Sequence, residues 1–167
     1  TKINFYFGSY YNNEMDSLPN TLKKLIIGTN FNKKINHLPN SIREITFQCD
    51  SKFNFAIDNL PTNLKKLILG NKFNKTINKL PKSLKVLLFH KFSEFNQNVD
   101  NLPKKLKVLK LGHTFDNPIN HLPKNLEFLV LGSHFNHSLD LDNLLPNLKT
   151  LCIYSCLLYT SDAADDI

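Results

Sequence analysis

The sequence predicts a β-rich solenoid: a right-handed coil of eight turns carrying one parallel β-sheet, with an irregular or 3₁₀ opposite side and little α-helix. Three observations predict it. Leu-Pro pairs end at Pro19, Pro39, Pro61, Pro81, Pro103, Pro123 and Pro146, at steps that are alternately shorter and longer. After each pair, apolar residues recur at period two, the spacing that puts alternate side chains on one face of a strand. A phenylalanine then stands at a constant place in six of the units. Self-similarity at a fixed short period marks units that bury their apolar faces only against their neighbours.

Each element of the unit has its own signal. Leu22, Leu25 and Ile27 recur as Ile42, Ile45 and Phe47, and onward to Leu148, Leu151 and Ile153; Phe5 and Phe7 begin the series. Leu25 and Ile27 face inward on this pattern, and Lys24 and Ile26 outward. Stacked parallel strands lie about 4.8 Å apart, so the sheet should run on the order of 35 Å. The five glycines, Gly8, Gly28, Gly70, Gly112 and Gly132, follow the strands and read as one register position that needs a positive φ. The turns Gln48 to Lys52 and His90 to Glu94 lack it and are two residues longer.

Next comes an aromatic column: Tyr11, Phe31, Phe53, Phe73, Phe95, Phe115 and Phe135. It reads as a stacked spine on the convex side. The amide or carboxylate that follows each ring, from Asn12 to Asn136, should form a ladder against neighbouring backbone. Ile35, Ile57, Ile77, Val99 and Ile119 complete the core. The proline pre-sets φ for the bend into the strand and lacks an N–H that would need a partner. Asp16, Asn36, Asp58, Asn78, Asp100 and Asn120, three positions earlier, suit a side-chain-closed turn.

Composition sets bounds. The 167 residues suffice for one domain, at 41% hydrophobic and 21% charged, and no run of about eighteen apolar residues offers a membrane helix. Cys49, Cys152 and Cys156 show no pairing pattern, which points to a reducing, intracellular compartment such as the cytoplasm of the host or source cell. Sequons at Asn74 and Asn136 fall at the ladder position, expected to be buried and therefore unmodified.

The run Phe115-Asp116-Asn117-Pro118-Ile119, and units reading LPxxLKxLxLGxxFNxxI, resemble FNIP repeats, a relative of leucine-rich repeats known from amoebae and their giant viruses. The resemblance covers residues 1–155 and implies a leucine-rich-repeat-like coil that binds protein. It also implies a companion F-box-like or kinase domain in family members, and hence a substrate-receptor role in ubiquitin ligation. Residues 156–167 leave the repeat. Cys156-Leu-Leu-Tyr-Thr-Ser-Asp-Ala-Ala-Asp-Asp166 resembles a translated sequencing adapter, so the array is expected to be a slice of a longer one, cut at both ends. Uncapped ends should fray or self-associate. Formal charge is 21 Lys/Arg against 14 Asp/Glu, or 21 against 11 with the three tail aspartates set aside.

Function is expected on the concave face, at Lys24, Ile26, Glu44, Thr46, Lys66, Ile68, Val86, Leu88, Val108, Lys110, Phe128 and Val130, a mixture suited to a protein partner. A basic row, Lys23, Arg43, Lys65, Lys85, Lys107 and Lys149, interrupted by Glu127, raises the alternative of a nucleic-acid or anionic-surface binder. One arginine and buried aromatics weigh against nucleic acid. His113, His121, His134 and His137 lie near one another without a completing ligand set, so no metal is expected. Asp140 and Asp142 read as loop. Nucleophile, phosphate-loop and paired-carboxylate signatures do not occur, so neither cofactor nor enzyme activity is expected.

Overall fold

Eight short strands form wherever the alternating pattern occurs. They are β1 (Lys2–Asn4), β2 (Lys24–Ile27), β3 (Glu44–Phe47), β4 (Lys66–Leu69), β5 (Val86–Phe89), β6 (Val108–Lys110), β7 (Phe128–Leu131) and β8 (Thr150–Ile153). The computed structural model describes residues 1–6, 8–139 and 145–154. Phe7, the loop reading of Asp140 and Asp142, and the 156–167 tail with its Cys156 lie outside the described residues. The strands pair in parallel, in sequence order, as one eight-stranded sheet. Eight strands are joined by seven full coils, one fewer than the eight turns the repeat count suggests. The rest of each coil is turns and bends, without α- or 3₁₀ helix among the described residues.

Inward strand residues such as Leu25, Leu67, Leu87 and Leu109 are fully buried, as are Leu22, Leu64, Leu84 and Leu106 just before the strands. The phenylalanine spine is continuous. Ring centroids of Phe31, Phe53, Phe73, Phe95, Phe115 and Phe135 follow one another at 6.2 to 6.3 Å, with interplanar angles of at most 19°. Beside it runs the amide ladder: Oδ1 of Asn12, Asn54, Asn74, Asn96 and Asp116 accepts from the backbone N–H of the ladder residue one coil on, at 2.8 to 3.1 Å. The ladder is not buried, contrary to expectation. Asn74 is half-buried and Asn136 exposed, because the side chain needs to reach only sideways to the next coil.

Strand register shows a longer period. Lys2 pairs with Lys24, Lys24 with Glu44, Glu44 with Lys66 and Lys66 with Val86, so a longer coil alternates with one two residues shorter. The alternation continues through Val108, Phe128 and Thr150. The structural unit is therefore a pair of coils, one long and one short. Its odd, long members, which begin with β1, β3 and β5, carry Ser9, Ser51 and Ser93 in a longer turn. There the serine N–H donates to the carbonyl three residues back, at 2.9 to 3.0 Å. Its hydroxyl accepts from the N–H of the spine residue at 3.2 to 3.3 Å. Odd coils also stack a second ring on the spine: Phe5 on Tyr11, Phe47 on Phe53 and Phe89 on Phe95, at 4.1 to 4.5 Å. The seventh coil keeps the odd length, but its insertion falls between Phe135 and Leu148. Pro146 there stands one place late, so that Leu148 N–H bonds Leu145 O where Leu126 N–H bonds Pro123 O.

This alternation corrects the reading of the glycines. Gly8 belongs to an odd, long turn, and it alone among the glycines has a positive φ, +79°. Gly28, Gly70, Gly112 and Gly132 share a register, but what they need is room. A Cβ on Gly70 would lie 2.7 Å from Ser51 Cβ and 2.8 Å from Gln48 O. Gly112 meets Ser93 and His90 in the same way, at 2.7 and 2.9 Å. At Gly28, Gly70 and Gly112 the short even turns nest under the long odd turns. On Gly132 of the seventh coil, by contrast, a Cβ would lie against Gly112 O and His113 Cα of the sixth, at 2.2 and 2.3 Å. In each case the two backbones approach too closely for a side chain. The odd coils' Gln48 and His90 stand at the glycine register and reach back two coils, to Phe5 O at 3.4 Å and Phe47 O at 3.1 Å.

The aspartates before the prolines also act between coils. Asp16, Asp58 and Asp100 meet His37, Lys79 and His121 of the following even coil, at 3.3, 3.5 and 3.3 Å, and Asp100 also accepts from Asn98 Nδ2 of its own turn at 2.7 Å. These pairs also recur once in every two coils.

Candidate functional site

The outward strand residues form two ladders on a sheet face that no described element covers. One runs Lys24, Glu44, Lys66, Val86, Val108 and Phe128 in register; the other runs Ile26, Thr46, Ile68, Leu88, Lys110 and Val130. All are half-buried except Val130, at 3% exposed. Val130 therefore offers almost no contact area; it lies in register between Lys110 and Cys152. At the N-terminal end the face is charged, with Lys24 and Glu44 ion-paired at 2.8 Å. From β4 onward it turns apolar: Ile68 lies beside Leu88, and Val86, Val108 and Phe128 follow one another.

The basic row borders this face on the rim where the chain enters the strands. Leu84, Leu106 and Leu126 point inward there. The residues on either side of each therefore point out, which leaves a groove between two columns of side chains. Lys65, Lys85, Lys107, Glu127 and Lys149 form one wall, and Ser83, Lys105, Asn125 and Asn147 the other. Lys23 and Arg43 of the predicted row lie outside it. The second wall escaped the sequence reading, although it stands at a constant two places before the row. Its polar side chains tie the coils together: Asn125 Nδ2 donates to Lys104 O at 2.8 Å and Asn147 Nδ2 to Lys124 O at 2.9 Å.

Glu127 is bracketed by Lys107 and by Lys149, the latter at 2.8 Å. Hydrogen bonds from these two lysines hold its carboxyl well below the usual range, at about 2. The glutamate thus offsets part of the charge of the two lysines beside it, while Lys65, Lys85 and Lys105 have no ion-pair partner among the described residues.

The histidines do not assemble into a metal centre: no group of three His, Cys, Asp or Glu side chains suited to a metal occurs among the described residues. His121 and His137 instead meet Asp100 and Asp116 of the preceding coil, at 3.3 and 3.2 Å. His113 packs on His134 with centroids 4.9 Å apart. Burial, then the His134 and Lys91 charges, hold its imidazole below the ordinary value. Phe92, 64% exposed, sets its ring edge-on to His113 at 5.8 Å.

A family profile described as "FNIP Repeat" matches residues 11–50 and 53–92. These segments are FNIP repeats. Each starts on the spine ring of an odd coil, Tyr11 or Phe53, and each holds two strands, so the FNIP unit coincides with the structural pair of coils. The array is also similar to a solved structure, CroV588 from a giant virus, described as a novel circular LRR protein. Identity is 35% and the TM-score 0.72, over 81% of this chain and 21% of that one. The chain thus spans about a fifth of that protein's length. No curated protein matches it. No helix among the described residues is long and apolar enough to cross a membrane.

Proposed function

We propose that this FNIP array is a protein-interaction scaffold whose partner lies on the open sheet face. The observation that carries this reading is the strip of half-exposed Ile68, Leu88, Val86, Val108 and Phe128, contiguous across four strands and uncovered. Solenoids present such extended surfaces to partners, and contiguous apolar patches on soluble folds mark interaction sites. Lys66 and Lys110 flank the strip, and charge at the edge of an apolar centre suits orientation more than affinity.

The test compares proteins retained by the wild-type array, by Ile68→Asp with Leu88→Asp, and by Lys75→Asp on an exposed turn away from the sheet. Partners kept by the wild type and Lys75→Asp but lost by the sheet variant are expected. Undiminished capture by the sheet variant refutes the reading. A receptor role in ubiquitin ligation is the narrower form of the same proposal; an F-box-like helical segment encoded upstream of Thr1 in the parent gene would support it.

A further inference from the structure

We propose that the groove on the basic rim binds an extended acidic segment of a protein partner, a run rich in aspartate and glutamate. The proposal rests on the protein-scaffold reading for the nature of the partner, but it concerns a separate surface.

Stacking brings the lysines of one wall to about 4.8 Å intervals. Like charges at that spacing repel one another. Glu127 relieves this only for Lys107 and Lys149, because its one carboxylate is taken up by both. Lys65, Lys85 and Lys105 are exposed and without ion-pair partners among the described residues, in a groove whose only acidic lining residue is Glu127. Five stacked coils, from Lys65 to Lys149, give the groove a length on the order of 19 Å, and an extended chain rising about 3.3 Å per residue covers it with six residues.

The groove offers charge without the means to read bases. No aromatic ring and no arginine lines it, whereas nucleic-acid sites favour stacking platforms and bidentate guanidinium groups. Its side-chain donors are engaged: Ser83 Oγ bonds Thr62 O and Leu64 O at 2.7 and 2.6 Å, and Asn125 and Asn147 bond backbone as described. Lysine ammonium groups on flexible stems remain, and they act as point charges that follow irregularly spaced carboxylates. Where Glu127 lies, the groove already holds such a carboxylate between two lysines.

Fluorescence anisotropy with a labelled twelve-residue polyglutamate peptide tests this at low and physiological salt, with a labelled oligouridylate of equal length as the second probe. The peptide should bind, more weakly as salt rises. Lys65→Glu, Lys85→Glu and Lys105→Glu together should weaken it about tenfold or more, with an unchanged circular dichroism spectrum. Glu127→Gln frees two lysines and should tighten it about two- to fivefold. Ile68→Asn with Leu88→Asn, which changes the sheet face without adding charge beside the groove, should leave peptide binding unchanged, so a failed sheet reading and a failed groove reading give different results. No peptide binding at low salt, binding indifferent to the three charge reversals, or tighter binding of oligouridylate overturns the proposal, the last in favour of a nucleic-acid groove.

Discussion

Replacing the four register glycines by alanine one at a time should give a graded loss of stability set by the nearest atoms to the new Cβ. At Gly28 that atom is Ser9 Cβ at 3.1 Å, a contact that a shift of a few tenths of an ångström relieves. At Gly70 and Gly112 it is a serine Cβ at 2.7 Å, with a backbone carbonyl oxygen at 2.8 and 2.9 Å. At Gly132 the neighbours are Gly112 O at 2.2 Å and His113 Cα at 2.3 Å, both main chain and unable to rotate away. Overpacking a tight site costs about 1–3 kcal/mol. Gly28→Ala should fall below that range, Gly70→Ala and Gly112→Ala inside it, and Gly132→Ala at or beyond its top. For a chain of this length each kcal/mol lowers Tm by about 2–4 °C. Thermal unfolding followed by circular dichroism therefore resolves the order. Combining Gly70→Ala with Ser51→Gly removes the 2.7 Å contact and should recover part of the loss, a coupling of about 0.5 kcal/mol or more. Gly8→Ala is the control: its Cβ meets nothing within 4 Å and carries only the strain of φ +79°, about 1–2 kcal/mol. Equal effects at all four register positions, or strict additivity with Ser51→Gly, would refute nesting as the reason for glycine.

Two further predictions concern the spine and the histidine pair. Phe73, fully buried and stacked between Phe53 and Phe95 at 6.2 and 6.3 Å, should lose about 3–5 kcal/mol on replacement by alanine. Hydrogen exchange should then show the coils on its two sides protected unequally, since neighbours in a solenoid stabilise one another only through contact. His113 should titrate below 6.5 by NMR, its burial and the neighbouring cations favouring the neutral ring. The folded value lies below the unfolded one, so this stabilising contribution is complete above pH 6.5 and is lost as pH falls through the folded value. His134→Gln should raise the midpoint. A midpoint at or above 6.5 in the wild type contradicts the argument.

The sequence alone determined the coil, the parallel sheet, the inward columns and the phenylalanine spine. Each follows from the side of the chain on which a residue falls, and periodicity reports that directly: Leu25 and Ile27 repeat on schedule because one face of every strand is buried. The marks of the two-coil unit were also present, in Ser9, Ser51 and Ser93, and in Phe5, Phe47 and Phe89, each set recurring at every second coil. The shorter proline period hid them, and Gly8 passed for a member of the wrong register. What only the tertiary structure decided is how one coil meets the next. Gly70 is glycine because of Ser51 and Gln48, Asp16 turns to His37 rather than to its own turn, and Ser83 with Lys105 and Asn125 makes the far wall of the basic groove. Those contacts join residues one coil apart, and the distance between stacked backbones, which sets them, is a property of the assembled coil and of no single repeat.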